Sequence, residues 1–313
     1  MTTAAKGERR QKAFERSTAF LEGRGLFWVA QRALIYGALV FFAIVFVFPF
    51  VWLLSNSLKD PLHIFDANLI PQPIVWQNYV TIFQETETMG TPLLSMIRNS
   101  VIVSVLGVTA VLISSSMIGF ALAKLRFPGA NVVFFLVLMT MMLPGEVTIV
   151  PVYLIWRKLA DLTGGLIGTG TLFPLWLGGL FGSSFYIFML RQFFLGIPQE
   201  LIEAARVDGA SYLRIYWQIM LPLVRPALLA VAVLEFQAKW NDFMGPLIYV
   251  SNKPDLWTLP IGLFQLNQHF GFGQFRYELI FAAAVLMLLP SVILFFLAQK
   301  QFIKGLSAGA VKG

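Results

Sequence analysis

Arg191-Gln-Phe-Phe-Leu-Gly-Ile-Pro198-Gln-Glu200-Leu-Ile-Glu203-Ala204-Ala205-Arg206-Val207-Asp208-Gly209-Ala210-Ser211-Tyr-Leu213-Arg214-Ile-Tyr216-Trp217-Gln-Ile219-Met220-Leu221-Pro222 is a soluble-looking stretch lodged between two long hydrophobic runs. Pro198 can open a helix, because its fixed φ suits the first turn, and Glu200, Glu203 and Ala204 follow at helical spacing. Ala204 and Ala205 leave a smooth patch, and Gly209 permits a turn that a β-carbon would resist. Leu213, Tyr216 and Trp217 recur at three and four residues, as on a second amphipathic helix. The expectation is a short helix, a glycine turn and a second helix projecting from a membrane. Periodicity leaves another reading equally open, in which the pair lies on the bilayer with Tyr216 and Trp217 at headgroup level.

The flanking runs decide the class. Hydrophobic residues make up 58% of the 313 and charged ones 12%, with mean hydropathy +0.74, against about 25% charged in soluble chains. A bilayer core of about 30 Å needs some 20 mostly apolar residues per helix. Such runs lie near 32–55, 98–122, 131–155, 171–194, 223–249 and 279–299, so an all-α polytopic membrane protein with six spans is expected. The first run is too long for a signal h-region and has no evident small-residue cleavage site, so it reads as a retained span. There are no cysteines, and His63 and His269 lie far apart in predicted loops, which argues against a metal centre.

The net charge of +7 is explained by topology and attraction to anionic lipid rather than by nucleic acid. One assignment gathers most of the basic residues on one side: Lys6, Arg9, Arg10, Lys12, Arg16, Arg24 and Arg32, then Lys124 and Arg126, then Arg191, Arg206, Arg214 and Arg225, then Lys300, Lys304 and Lys312. The other side keeps Lys59, Arg98, Arg157, Lys158, Lys253 and Arg276. Both termini are therefore expected in the cytoplasm.

Several details within the spans carry information. The 56–96 segment, with Pro61, Pro71, Pro73, Asp60, Asp66, Glu85 and Glu87, is external and too short to be a domain. Ser115, Gly119 and Ala123 recur every four residues in the second span, as in close intramolecular helix packing. Pro144-Gly145-Glu146 and Pro151 interrupt the third, and the freed backbone groups must face protein or water. Glu146 can line a path there or cap the freed amides. Arg157, Lys158 and Asp161 form a short external connection. In the fifth span Glu235 and Lys239 lie four apart, where they can pair on one face, with Gln237, Asn241 and Asp242 nearby. An intramembrane charge normally faces a cavity or a partner, so Glu146, Glu235, Lys239, Trp240, Asn241 and Asp242 are candidates for a translocation path. An ion pair at an interface between subunits is the equal alternative for Glu235 and Lys239.

The order Glu203-Ala204-Ala205, Gly209, Ile219-Met220-Leu221-Pro222 closely resembles the EAA loop in the permease subunits of bacterial ABC importers. Trp240-Asn241-Asp242-Phe243, Leu259-Pro260-Ile261-Gly262-Leu263 and the ending Gly305-Leu306-Ser307-Ala308-Gly309-Ala310-Val311-Lys312-Gly313 are similar to the second permease of maltose or glycerol-3-phosphate systems. The likeness covers residues 40–313, and Pro-Gly-Glu at 144–146 also recurs in that family. It implies the type I ABC importer fold, with a basic cytoplasmic tail at 1–31, the first span and external loop at 32–97, a permease core at 98–304 holding the docking loop at 195–222, and a cytoplasmic tail at 305–313. By resemblance the loop enters a cleft on a nucleotide-binding subunit. Glu203 is then the polar anchor, Ala204 and Ala205 the close-packing surface and Gly209 the turn, with Asp208, Leu213 and Pro222 in the same loop.

The implied partners are a homologous second permease, an ATPase dimer carrying ATP and magnesium, an extracellular solute-binding protein and a sugar, in a bacterial inner membrane. The 250–278 loop would reach toward the binding protein through Asn252, Gln265, Asn267 and Gln268, and Trp240 could stack on a sugar ring. No G-x-x-x-x-G-K-[ST] sequence occurs, so ATP hydrolysis belongs to a partner, and no cofactor is expected on this chain. An ion-coupled secondary transporter would use Glu146, Glu235, Lys239 and Asp242 but leaves the loop unexplained. A membrane enzyme lacks a histidine or cysteine constellation. The solute leans toward a neutral sugar, with glycerol phosphate or a polyol as alternatives.

Overall fold

Helix α1 (Ala4–Ser57) carries the first apolar run without a break, through Pro49 near its far end. The structure, a computed structural model, describes residues 4–269 and 276–310, and describes side chains for 27–269 and 276–299. The readings placed on the basic side chains of the tail and on the 305–313 ending lie outside the described side chains. Every regular element among the described residues is helical. After α1 come α2 (Gln77–Thr88), α3 (Leu93–Lys124), α4 (Ala130–Thr140), α5 (Gly145–Leu162), α6 (Phe173–Trp176) and α7 (Ser184–Leu195). Then follow α8 (Glu200–Val207), α9 (Tyr212–Ile215), α10 (Leu221–Leu223), α11 (Arg225–Trp240), α12 (Met244–Val250), α13 (Leu259–His269) and α14 (Tyr277–Ala310).

Among the described residues, four stretches are long and apolar enough to cross a membrane: Phe27–Ser57, Leu93–Lys124, Phe173–Leu195 and Tyr277–Gln299. Two bent pairs raise the number to as many as six, α4 with α5 at 103° and Tyr212–Leu223 with α11 at 80°. The expected third span is thus two limbs meeting at Met141–Pro144, where the Pro144 ring cannot continue α4. The expected fifth span, 223–249, stops at Trp240. Asn241 Nδ2 turns back onto the Gln237 carbonyl at 2.8 Å, and Asp242 Oδ1 accepts from the Gly245 amide at 3.0 Å to start α12. With 16 residues, α11 is about 24 Å long, short of a full bilayer core.

α3 is the central post, packed against α7 and α11. The Ser115, Gly119, Ala123 stripe is where α7 approaches. A Cβ on Gly119 would sit 3.2 Å from the Arg191 amide nitrogen and 3.3 Å from the Ile187 carbonyl, so a side chain here would press on the α7 backbone. Ser115 Oγ accepts from the Ser183 amide at 3.0 Å.

Two apolar cores sit at opposite ends of α3. Phe120 shares one with Leu190, Phe194, Ile202, Ile215 and Tyr216. Met96 shares the other with Ile82, Trp240, Trp257, Leu259 and Leu266. Phe120 lies 24 positions beyond Met96, about 36 Å along the helix.

The expected loop at 250–278 contains a helix, α13, whose Leu259, Ile261 and Leu266 are buried in the second core. His269 therefore ends a helix rather than lying in a loop. Ser100 Oγ accepts from the Leu259 amide at 2.7 Å, and Asn99 Nδ2 donates to the Asp255 and Trp257 carbonyls at 2.9 and 3.0 Å. Arg276 joins α2 to α14 through Glu85 at 3.0 Å and Glu278 at 2.9 Å.

Candidate functional site

At the Lys124 end of α3 the chain leaves the bundle as an elbow. α8 buries Ile202 and Ala205 and exposes Glu203, Ala204, Val207 and Asp208. Ala205 is 9% exposed and belongs to the chain's own core, so the expected Ala204–Ala205 patch divides. The outward surface consists of Leu201, Ala204 and Val207 beside Glu203. Gly209 turns the chain with φ +79° and nothing within 4 Å of where its Cβ would stand, so its backbone conformation, not crowding, requires glycine. The Ala210 amide closes the end of α8 on the Ala205 carbonyl at 2.9 Å, in the manner of a left-handed helix cap. Across the turn, the Arg206 guanidinium lies 4.6 Å from the Tyr212 ring centre and donates to its hydroxyl.

The expected second helix is shorter and more irregular than its periodicity implied. Ser211 Oγ accepts from the Arg214 amide at 3.3 Å to cap α9. The backbone then widens into a π turn at Tyr216–Met220. The Leu221 amide reaches five residues back to the Tyr216 carbonyl, and Pro222, which is exposed, brings no amide of its own. Tyr216 points inward, its hydroxyl 2.7 Å from Ser116 Oγ, while Leu213 and Trp217 face out. The two rings touch edge-on at 5.3 Å, but Tyr216 is buried and only Trp217 is open to a headgroup layer. Lys124 Nζ donates to the Ile197 carbonyl at 2.6 Å, and Arg191 Nε to that of Leu122 at 3.3 Å. These ties join the chain just ahead of α8, and the end of α7, to the end of α3. None of these long-range partners is visible in local spacing.

The polar strip of α11 divides as well. Lys239 Nζ lies 3.8 Å from Glu235 Oε1, as the four-residue spacing implied. Sequence reading missed two neighbours: the Tyr186 side chain of α7 lies beside the same carboxylate, and the Lys239 stem fills the space beside Gly107 of α3. Gln237 Oε1 accepts from Ser291 Oγ of α14 at 2.9 Å. Trp240 is 1% exposed. Its Nε1 donates to the Met287 carbonyl at 2.9 Å, and its ring stacks on Phe236 at 5.5 Å. Both faces and the polar tip are committed to the core, so Trp240 is not a sugar platform. Asp242 is the half-buried start of α12, and Asn241 is exposed. Glu146 stands exposed in the first turn of α5, separate from the α11 group. Asn252 and Asn267 are exposed and Gln265 half-buried around α13. Among the described residues no group of three His, Asp or Glu could hold a metal.

Residues 115–308, which contain the elbow and all of α11 to α13, match the family described as binding-protein-dependent transport system inner membrane component. This chain belongs to that family. The permease is 35% identical over 277 residues to the arabinooligosaccharides transport system permease protein AraQ of Halalkalibacterium halodurans, covering 87% of this chain and 94% of the relative. It is 32% identical to the probable starch degradation products transport system permease protein AmyC of Thermoanaerobacterium thermosulfurigenes, covering 86% and 93%. It is 33% identical to the sn-glycerol-3-phosphate transport system permease protein UgpE of Yersinia pestis, covering 90% and 96%. A chain from the crystal structure of a bacterial ABC transporter involved in the import of the acidic polysaccharide alginate superimposes with a TM-score of 0.73 at 23% identity, covering 88% of the permease and 96% of that chain. The permease therefore has the ABC importer fold and is a multi-pass inner membrane component. ATP hydrolysis in such a transporter resides in a separate subunit.

Proposed function

We propose that this permease forms half of the translocation pathway of a sugar importer and takes its driving force through the α8–Gly209–α9 elbow. An ATPase dimer, closing on ATP, would pull the elbow and switch the pathway between inward-facing and outward-facing states. The effector does work only through its different affinity for those two states. The observation that carries this reading is the elbow itself: an exposed face of Leu201, Glu203, Ala204 and Val207, on a short helix whose inner Ile202 and Ala205 share a core with Phe120 of α3. A homologous second permease and an extracellular solute-binding protein complete the assembly. The elbow and both termini lie in the cytoplasm, and α13 with the neighbouring turn at Asn252 faces the binding protein.

The names of AraQ and AmyC support a neutral oligosaccharide as solute. That of UgpE keeps glycerol phosphate as the second reading. In the α11 strip Lys239 is already paired with Glu235, which favours the neutral solute. Glu146 and Asn241, both exposed, are the path candidates that remain free of the core. Affinity purification from gently solubilised native membranes tests the assembly. Two copies of a P-loop ATPase and one second permease are expected with each copy of this chain; recovery of the chain alone, active in ion-driven uptake, would overturn it.

A further inference from the structure

The opposite end of the molecule carries a feature that the transport cycle does not use. Leu62, Phe65, Ile70 and Trp76 are 88%, 82%, 73% and 65% exposed, a dense apolar set on a segment that otherwise reads as a water-facing connection. Hydrogen bonds fix its depth against the end of α1. Ser55 Oγ donates to the Leu69 carbonyl at 2.5 Å and Lys59 Nζ to the Asp66 carbonyl at 2.7 Å. The Val75 amide donates to the Leu58 carbonyl at 2.8 Å. Asn78 Nδ2 closes the loop on the Ser57 and Lys59 carbonyls at 3.0 and 2.9 Å. The Phe65 ring meets that of Tyr277 edge-on at 5.4 Å. Ser57 ends one candidate membrane span and Tyr277 begins another. Two span ends thus hold the segment at one level, the boundary between hydrocarbon and water, where tryptophan and other amphipathic side chains are enriched.

We propose that residues 61–76 form an interfacial anchor that seats Leu62, Phe65, Ile70 and Trp76 in the headgroup and upper acyl region of the lipid bilayer. Residues 60–76 contain no lysine or arginine, and the ammonium of Lys59 is drawn into the loop. Attachment is therefore apolar and independent of anionic lipid, unlike a basic surface helix. The anchor ties the outer ends of α1 and α14 to the bilayer plane while the elbow end moves. The proposal rests on the membrane spans. Which leaflet is involved rests additionally on the elbow being cytoplasmic, so the two can fail separately.

The chain has no cysteine, so Leu62→Cys, Phe65→Cys, Ile70→Cys and Trp76→Cys each provide one label site on the permease, with Gln84→Cys on the exposed face of α2 as the aqueous control. Each variant is labelled with an environment-sensitive fluorophore in the assembled transporter, in nanodiscs of neutral lipid. The four anchor labels should lose emission to lipids brominated high on the acyl chain and resist aqueous iodide, with the reverse at Gln84. The same quenching should persist when anionic lipid is added. Quenching of the four by iodide alone would place the loop in water and overturn the proposal. Protection from both quenchers would mean that protein covers it, which overturns it equally. Bromination of one side's lipids only, in sided vesicles, reads the leaflet independently.

Discussion

Replacing Glu235 by Gln leaves Lys239 without its counter-charge inside α11, and the size of the effect follows from the pair's surroundings. At 3.8 Å two unit charges attract by about 4 kcal/mol at an effective dielectric of about 20. Loss of one partner from a buried pair costs about 3–5 kcal/mol, chiefly from the charge left behind. The Glu235 side chain is 10% exposed and that of Lys239 25%. Glu235→Gln should therefore fall below that range, at about 2–3 kcal/mol, because the stranded ammonium can reach water. Lys239→Gln should cost about 3–5 kcal/mol, because the stranded carboxylate is almost fully shielded from water. The double variant should recover about 2–3 kcal/mol of the summed loss, since two neutral amides can bond one another in the same geometry. A double-mutant cycle on the purified transporter, read by thermal unfolding and by uptake in proteoliposomes, measures this coupling. Additive losses in both readouts would refute the pairing, and equal single losses would refute the role given to exposure.

Further outcomes follow from the same contacts. Gly209→Ala should cost about 1–2 kcal/mol at the elbow, the penalty for a β-carbon in the left-handed region, and weaken transport; Gly209→Pro should abolish uptake while leaving normal amounts in the membrane, checked by quantitative immunoblotting beside the uptake assay. Trp240→Ala should lower thermal stability by about 3–5 kcal/mol and reduce uptake in proportion to folded protein; an altered apparent affinity for solute at normal stability would return Trp240 to the pathway. Gly119→Ala forces α3 and α7 apart and should cost about 1–3 kcal/mol, whereas Ala123→Gly, on the same stripe but half-buried, should cost about 1 kcal/mol or less by helix propensity. Comparing the two melting temperatures checks the crossing.

Local chemistry makes much of this architecture legible in the sequence alone. Apolar runs of span length place α1, α3 and α14, because lipid demands hydrogen-bonded helix; the run at Phe173–Leu195 is divided into α6, a short 3-10 turn and α7. The Pro144-Gly145 break and the Gly209 turn are readable for a similar reason: each rests on the backbone restrictions of one residue. What escaped reading depends on partners far along the chain. Ala205 and Tyr216 look like surface residues in an amphipathic count, yet they are drawn inward by Phe120 and Ser116 of α3. Trp240 looks like a sugar platform until Met287 and Phe236 are seen to occupy it. The polar residues around 252–269 suggested a loop, because the few apolar side chains that bury α13 carry no long periodic signal. The end of α11 was hidden too, since Asn241 and Asp242 stop a helix through hydrogen bonds that composition does not reveal.

The central claim is that the elbow receives the ATPase. Ala204→Cys and Val207→Cys place unique thiols on the permease's outward face of α8, and a short bifunctional reagent applied to the active transporter reads what lies against them. The account predicts a cross-link to the nucleotide-binding subunit whose yield changes between nucleotide-free and ATP-bound states. Full ATP-driven uptake with no such cross-link from either position would contradict it.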